Sequence, residues 1–431
     1  MFKSAFSVVA KRSTSQYTLT RSLISSQFHS ARILQRNSMV PPVAIVGGGP
    51  CGLTLARLLE VKGVDYVVYE RDESSSISNR GGGSLDIHPK TGQLALREAK
   101  LYDAFLKHAR YEDDKFDLYD PQGKLWGEVG GGQEEGEVIP TDEERPEIDR
   151  LALRQILLDS IPKEKIQWGR GLKRAVFDAD GRPVLEFANG STESGFDLVV
   201  GADGAWSKVR PLITEAKPKY SGKLYIETRI RQGNPIHDYM ATKFGAGSSS
   251  VFDGPKSIVI QRQGDHAYRI YYGVAVPEDF TQTTADLSNL ESTRALLLSE
   301  EFFGGYAEEF KDLIRNSDNF RGWPLYGLPI ETMGWKSVPG VTLVGDAAHV
   351  TIPSGEGVNV AMNDALVLAN KLEQHGIAQG RDQAVREYEE DMLLRGKETI
   401  EESWKLAELL SHPGGPKAIL EIFLHSGAGK E

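Results

Sequence analysis

The chain has 431 residues, 40% apolar and 26% charged, with a formal net charge of −11. That length fits one large or two medium globular domains. The acid excess argues against a nucleic-acid partner, which needs basic patches to neutralise phosphates. No run of about 18 apolar residues predicts a membrane span.

Residues 1–40 carry Lys3, Lys11, Arg12, Arg21, Arg32 and Arg36, many Ser and Thr, and no acid. Basic, Ser-rich and acid-free composition predicts a mitochondrial transit peptide and a matrix location, with cleavage near Arg32–Val40. The alternative is a basic tail without an address on a cytoplasmic protein.

The β-branched run Val43–Val46 predicts a buried strand, and Pro50–Val61, with leucines at helical spacing, a helix ended by Gly63. Val64–Tyr69 predicts the next strand, with Glu70 at its end. Between strand and helix stands Gly47-Gly48-Gly49-Pro50-Cys51-Gly52. In such a βαβ unit the first glycine permits the turn, the second admits a pyrophosphate, and the third lets helix and strand close up. The free amides of the helix N-terminus suit phosphate. Glu70 suits the hydroxyls of an unphosphorylated ribose, as in FAD or NAD. Cys51 is the chain's one cysteine, which excludes an internal disulfide and Cys-rich metal sites. Its place in the loop predicts a small buried residue at a helix start.

Beyond a loop at Gly81–Gly83, a helix is expected over Gln93–Ala109. Residues 127–147 read as an exposed acid-rich loop, and no metal site is expected because the acids have no fixed spacing. Arg150–Ile161 predicts an amphipathic helix and residues 165–200 a β-meander that ends at Gly201-Ala202-Asp203-Gly204. Residues 220–330 alternate β-type runs with turns, which predicts a second sheet closing a pocket. Glu227 and Arg229, on the run YIETRI, either face that pocket and touch substrate or lie on a solvated face. Trp206, Tyr225, Tyr271 and Tyr272 either line that pocket or fill the core, and the core is the expectation. Val341–Val344 predicts a buried strand, and Asn359–Leu372 and Ala384–Leu410 predict long helices.

Gly345-Asp346 decides which nucleotide is meant. A carboxylate after a buried strand can bind ribityl hydroxyls, and the amides of Gly357, Val358 and Asn359 at the next helix start can face the O2 edge of a flavin ring. Two grips, near opposite ends of the chain, point to FAD.

Together these residues resemble the class A flavoprotein aromatic monooxygenases. The resemblance rests on Gly47, Gly49, Gly52 and Glu70, on the Asp-Gly motif from Gly201 to Arg210, on Gly345-Asp346-Ala347-Ala348-His349, and on Arg150 followed by Leu153 and Leu157. The segment 82–96 is similar to the tetracycline-inactivating branch and its fungal relatives, where an acid at the place of Asp86 lies beside the flavin. The implied fold is α/β: a Rossmann-like FAD-binding domain of the glutathione-reductase-2 type, with an inserted mixed β-sheet substrate domain and C-terminal helices. The implied division is 41–215 and 331–410 for FAD, 216–330 with part of 80–130 for substrate, and 411–431 as a tail. The implied FAD contacts also include Pro50, Cys51, Arg71, Arg150 and Asp203, the last chiefly as the residue that fixes its turn. His349 is expected to be structural.

The implied reaction uses NAD(P)H and O2 to hydroxylate or epoxidise an aromatic or polycyclic small molecule through a flavin C4a-hydroperoxide. The family binds NAD(P)H transiently near the Asp-Gly motif. A flavin dehydrogenase without oxygen insertion and a non-catalytic binding protein are the alternatives. Where the family commonly has Gly-Gln-Gly, this chain has Gly355-Glu356-Gly357 in a loop one residue shorter. Glu356 is expected to point to solvent.

Overall fold

A computed structural model describes residues 40–75, 82–113, 115–130, 144–412 and 417. The readings of residues 1–39, of 131–143 and of most of the tail lie outside the described residues. Residues from Pro41 onward form one compact unit. Among the described residues no helix is long and apolar enough to cross a membrane.

Strand β1 (Val43–Val46), helix α1 (Pro50–Val61) and strand β2 (Tyr66–Tyr69) form the expected βαβ unit, with β1 and β2 parallel and buried throughout. On its other side β1 pairs in parallel with Leu198–Gly201, which pairs with Val341–Leu343. Ile166–Gln167 adds to β2 and completes a five-stranded parallel sheet. Buried on both faces, such strands are runs of Val, Ile and Leu without alternation. The glycine loop after β1 and the Gly345-Asp346 signature after Val341–Leu343 therefore emerge at the same end of the sheet, on either side of the Asp-Gly segment that follows Leu198–Gly201.

This pairing corrects the meander expected over 165–200. Only Leu172–Phe177, Pro183–Phe187 and Thr192–Ser194 form an antiparallel sheet, and the first and last runs belong to the parallel one. The helix expected over Gln93–Ala109 is also two, Leu94–Glu98 and Tyr102–Leu106. Lys100 takes φ 57° between them and the Leu101 amide bonds back to the Leu96 carbonyl, a helix C-terminal motif that reverses the chain.

The second sheet has seven strands, with Lys219–Ile230 and Tyr268–Ala275 near one side and Lys115–Tyr119 and Leu125–Gly130 at the other. Alternation sorts its faces. Leu224, Ile226 and Ile230 are buried in a core with Phe280, Phe303, Phe310 and Tyr272. Lys223, Tyr225, Glu227 and Arg229 take the opposite face. Of the four aromatics expected in the core, only Tyr272 is there. Tyr225 and Tyr271 lie tilted against each other, with ring centroids 5.7 Å apart, on the opposite face, and Trp206 is 56% exposed.

Helix α2 (Arg150–Asp159) packs on α1, as does α3 (Gly357–His375), which α4 (Arg381–Ser411) covers in turn.

Candidate functional site

At the end of β1, Gly47 takes φ 114° and lies so close to the Asp-Gly segment that a Cβ would come 2.3 Å from the Ala202 oxygen. A Cβ on Gly52 would lie 2.1 Å from the Gly47 oxygen, which is why the helix can close onto the strand. Gly49 differs, because no atom lies within 4 Å of the position its Cβ would take. The protein does not need a glycine there for its own packing, whereas a close-lying ligand does. Pro50 opens α1 as its first residue.

The loop faces a cleft of about 400 Å³ lined by Gly47, Gly49, Glu70, Arg71, Asp203 and Trp206 among others. Glu70 is buried, and its carboxylate accepts the Gly48 amide at 2.6 Å and the Asp72 amide at 3.0 Å. It holds the loop's shape while lining the cleft. Asp203 accepts the Lys208 amide at 2.6 Å, which fixes the turn of its motif, and burial pushes its carboxyl up.

The distant signatures touch. The Cys51 thiol lies 3.1 Å from the Ala361 oxygen on α3, and a Cβ on Gly345 would lie 3.1 Å from that sulfur. Burial pushes the thiol pKa up, so Cys51 is a packed, protonated residue. Arg210 ties the Asp-Gly motif to the second signature through the Ala347 oxygen at 2.7 Å and the Asp346 oxygen at 3.0 Å. Asp346 itself is exposed between buried Gly345 and Ala347, so its carboxylate is turned into open space.

Behind it, Asp364 of α3 accepts the Gly345 amide at 2.8 Å, the His349 imidazole at 2.6 Å and Arg395 of α4 at 2.8 Å. Against burial, which favours the neutral ring, the Asp364 charge raises the His349 pKa. Enclosed in this network, His349 orients the turn. Asp364 and Arg210 were missed as functional positions. Arg210 was visible as the last residue of a recognised motif, whereas Asp364 looked like any polar residue on a helix.

It is Arg154, and not the expected Arg150, that reaches the glycine loop. Buried Arg154 donates to the Gly48 oxygen at 3.0 Å and to Asp72 at 3.3 Å, gripping the glycine loop from behind. Arg150 sits one turn earlier on α2, with its stem over Gly82. It therefore belongs with the 82–88 segment and not with the phosphate loop.

That segment is held by α3. The Asn359 side chain accepts the His88 amide at 2.8 Å and donates to the Asp86 oxygen at 2.9 Å. The Asn359 side chain is thus a clamp, and the backbone amides of the first turn, the groups expected to face the ring, are left for a ligand. Gly357 and Val358 occupy that turn. Nor does Glu356 simply point to solvent. The His88 ring lies between two carboxylates, Asp86 at 2.7 Å and Glu356 at 3.3 Å. Burial opposes charging the ring, but the hydrogen bonds to Asp86 and Glu356 prevail and raise its pKa to about 9. The extra carboxylate is thus matched by an imidazolium.

On the second sheet, Glu227 pairs with Arg269 and accepts the Trp323 indole N–H at 2.7 Å, and Arg229 pairs with Asp265. Neither is a free substrate contact. Both partners are cross-strand neighbours or turn residues that only the pairing register identifies.

The cradle at Gly49, the cleft around Glu70 and the outward carboxylate of Asp346 fit an extended dinucleotide. In agreement, the family described as FAD binding domain matches residues 41–228 and 336–403. The chain belongs to this family of class A flavoprotein aromatic monooxygenases, and it is an FAD-dependent monooxygenase. It is 30% identical to Monooxygenase asqM of Emericella nidulans, over 84% of this chain and 94% of that one. In fold it is similar to HpxO of Klebsiella pneumoniae, solved with FAD and uric acid, with a TM-score of 0.69 at 21% identity over 88% of this chain and 92% of that one. Tetracycline destructase Tet(51) shares the fold with a TM-score of 0.64 at 18% identity, over 89% and 97%. The dehydrogenase alternative has no support among these relatives.

Proposed function

We propose that the chain uses NAD(P)H and O2 to hydroxylate or epoxidise an aromatic small molecule held between the FAD-binding layer and the inner face of the second sheet. The observation that carries this reading is that Gly49, Glu70 and exposed Asp346 all follow the C-terminal ends of strands in one parallel sheet, with the 82–88 segment clamped to α3.

Bound FAD would supply the oxygen-activating chemistry. The amides at the start of α1 would hold its pyrophosphate, with Glu70 and Arg71 toward the adenosine end. Asp346 would hold the ribityl chain. The first turn of α3, at Gly357 and Val358, would face the ring with its positive end, with Asp86 and Arg150 nearby. The sheet would hold the substrate ring and exclude water. The cleft beside Asp203, Trp206 and Lys208 is the proposed approach for NAD(P)H. In this reading residues 41–215 and 331–410 serve FAD and 216–330 serve substrate.

The test is oxidation of NADPH by the FAD-loaded protein across a panel of phenols, aromatic acids and polyketides, under 18O2. One labelled oxygen in product is expected, and product without label, or none at all, would sink the reading. We also propose that residues 1–40 address the protein to mitochondria, on the strength of their acid-free basic composition. A fluorescent reporter carrying residues 1–40 should collect in mitochondria; diffuse cytosolic signal would refute it.

A further inference from the structure

A chamber of about 350 Å³ lies against the inner face of the second sheet. Its walls include Tyr225 and Phe252 from the sheet, Ile352 and Pro353 from the loop before α3, and Trp404 and Leu410 from α4. Flat apolar walls of this kind suit a ring. Two of its walls lead toward segments that the proposed function places at the flavin. Pro353 is three residues before Glu356 in the chain, and the Tyr225 ring lies tilted against that of Tyr271, whose hydroxyl would lie 2.9 Å from a Cβ on Gly83.

One part of the wall is cationic. Lys223 follows the alternation of its strand onto this face, and its ammonium donates to the Ser411 hydroxyl at 2.6 Å. Among the described residues no ion pair joins a carboxylate to it, although Glu408 also lines the chamber. The chamber's other lysine is engaged elsewhere: Lys256 lies 3.4 Å from Asp253 and donates to the Phe302 oxygen at 2.8 Å. Taking an ammonium partly out of water without a counter-charge costs free energy, and here burial lowers the Lys223 pKa. A ligand that brings its own negative charge to this nitrogen removes that cost and gains a charge-assisted hydrogen bond.

We propose that Lys223 anchors the carboxylate of an aromatic acid in this chamber and selects aromatic acids over neutral rings of the same shape. The proposal rests on the monooxygenase reading for the placement of substrate beside the flavin, and on the chamber itself for the charge.

The probes are 2-naphthoate and its neutral counterpart 2-naphthamide, titrated calorimetrically into FAD-loaded protein. The acid is expected to bind at least about tenfold more tightly than the amide. Lys223→Met should abolish that preference while leaving amide binding and FAD content unchanged, and Lys223→Arg should retain it. Trp404→Ala should weaken both probes alike, which places them in the chamber. Equal affinity of the two probes for the parent protein would overturn the proposal, as would parallel loss of both in Lys223→Met, binding indifferent to Trp404→Ala, or no binding of either probe. Acid preference without labelled oxygen in any product would leave the anchor standing and remove the monooxygenase reading; labelled product without acid preference would do the reverse.

Discussion

At the residue scale, position decides which glycines are structural and which serve a ligand. Gly47 and Gly52 are required by the protein's own backbone, so larger residues there should unfold the turn. Gly49 faces open space. Gly49→Val is therefore expected to leave urea stability nearly unchanged while raising the Kd for FAD by more than about tenfold, some 1.4 kcal/mol. Unchanged FAD affinity in a fluorescence titration would contradict the cradle. All three glycines were legible from spacing, because the turn geometry is local. The His88 site was not, because its partners Asp86 and Glu356 come from opposite parts of the chain. Its folded pKa, about 9, stands above the ordinary value of 6.5. The charged ring thus contributes stability that is fully present below about pH 6.5 and is lost as pH rises through about 9. Between pH 6.5 and 9.5 the parent protein should lose more unfolding free energy than His88→Asn, as read in denaturant titrations; parallel curves would remove the imidazolium. Glu356→Gln should move the parent's loss to lower pH.

At the scale of elements, α3 is the part that joins the two grips. Its start presents amides, its middle clamps the 82–88 segment through Asn359, and Asp364 fixes the Gly345 turn against His349 and Arg395. Asp364→Ala would leave a guanidinium and an imidazole without their shared carboxylate. A loss of about 3–5 kcal/mol in urea unfolding is expected, since removing one member of a buried charge network strands the others. A loss below about 1 kcal/mol would show that solvent replaces the carboxylate. Apolar spacing was enough to find α3 and α4, because their buried stripes repeat along the chain. It did not place Ile166–Gln167 or Leu198–Gly201, since a short apolar run carries no information about which sheet receives it. It likewise could not separate Arg150 from Arg154, which lie one helical turn apart and point to different segments.

For the whole molecule, the proposed placement has one cofactor linking segments near residues 50, 203 and 346, which couples its binding to global stability. FAD at 100 times its Kd should raise the unfolding free energy by about 2.7 kcal/mol, seen as a shift of the urea midpoint. No shift would mean that the folded and unfolded chains bind FAD equally. The sequence by itself determined the family and the cofactor, because glycine turns and strand-end acids are local patterns whose steric reasons act within a few residues. The tertiary structure decided which side chains are consumed by the protein and which remain for a ligand. Glu227, Arg229 and Asn359 are taken by partners far away in the chain, Glu356 is neutralised by His88, and Lys223 is left with a hydroxyl beside an aromatic chamber. Those outcomes depend on strand register and helix packing, which bring together charges that no local pattern relates.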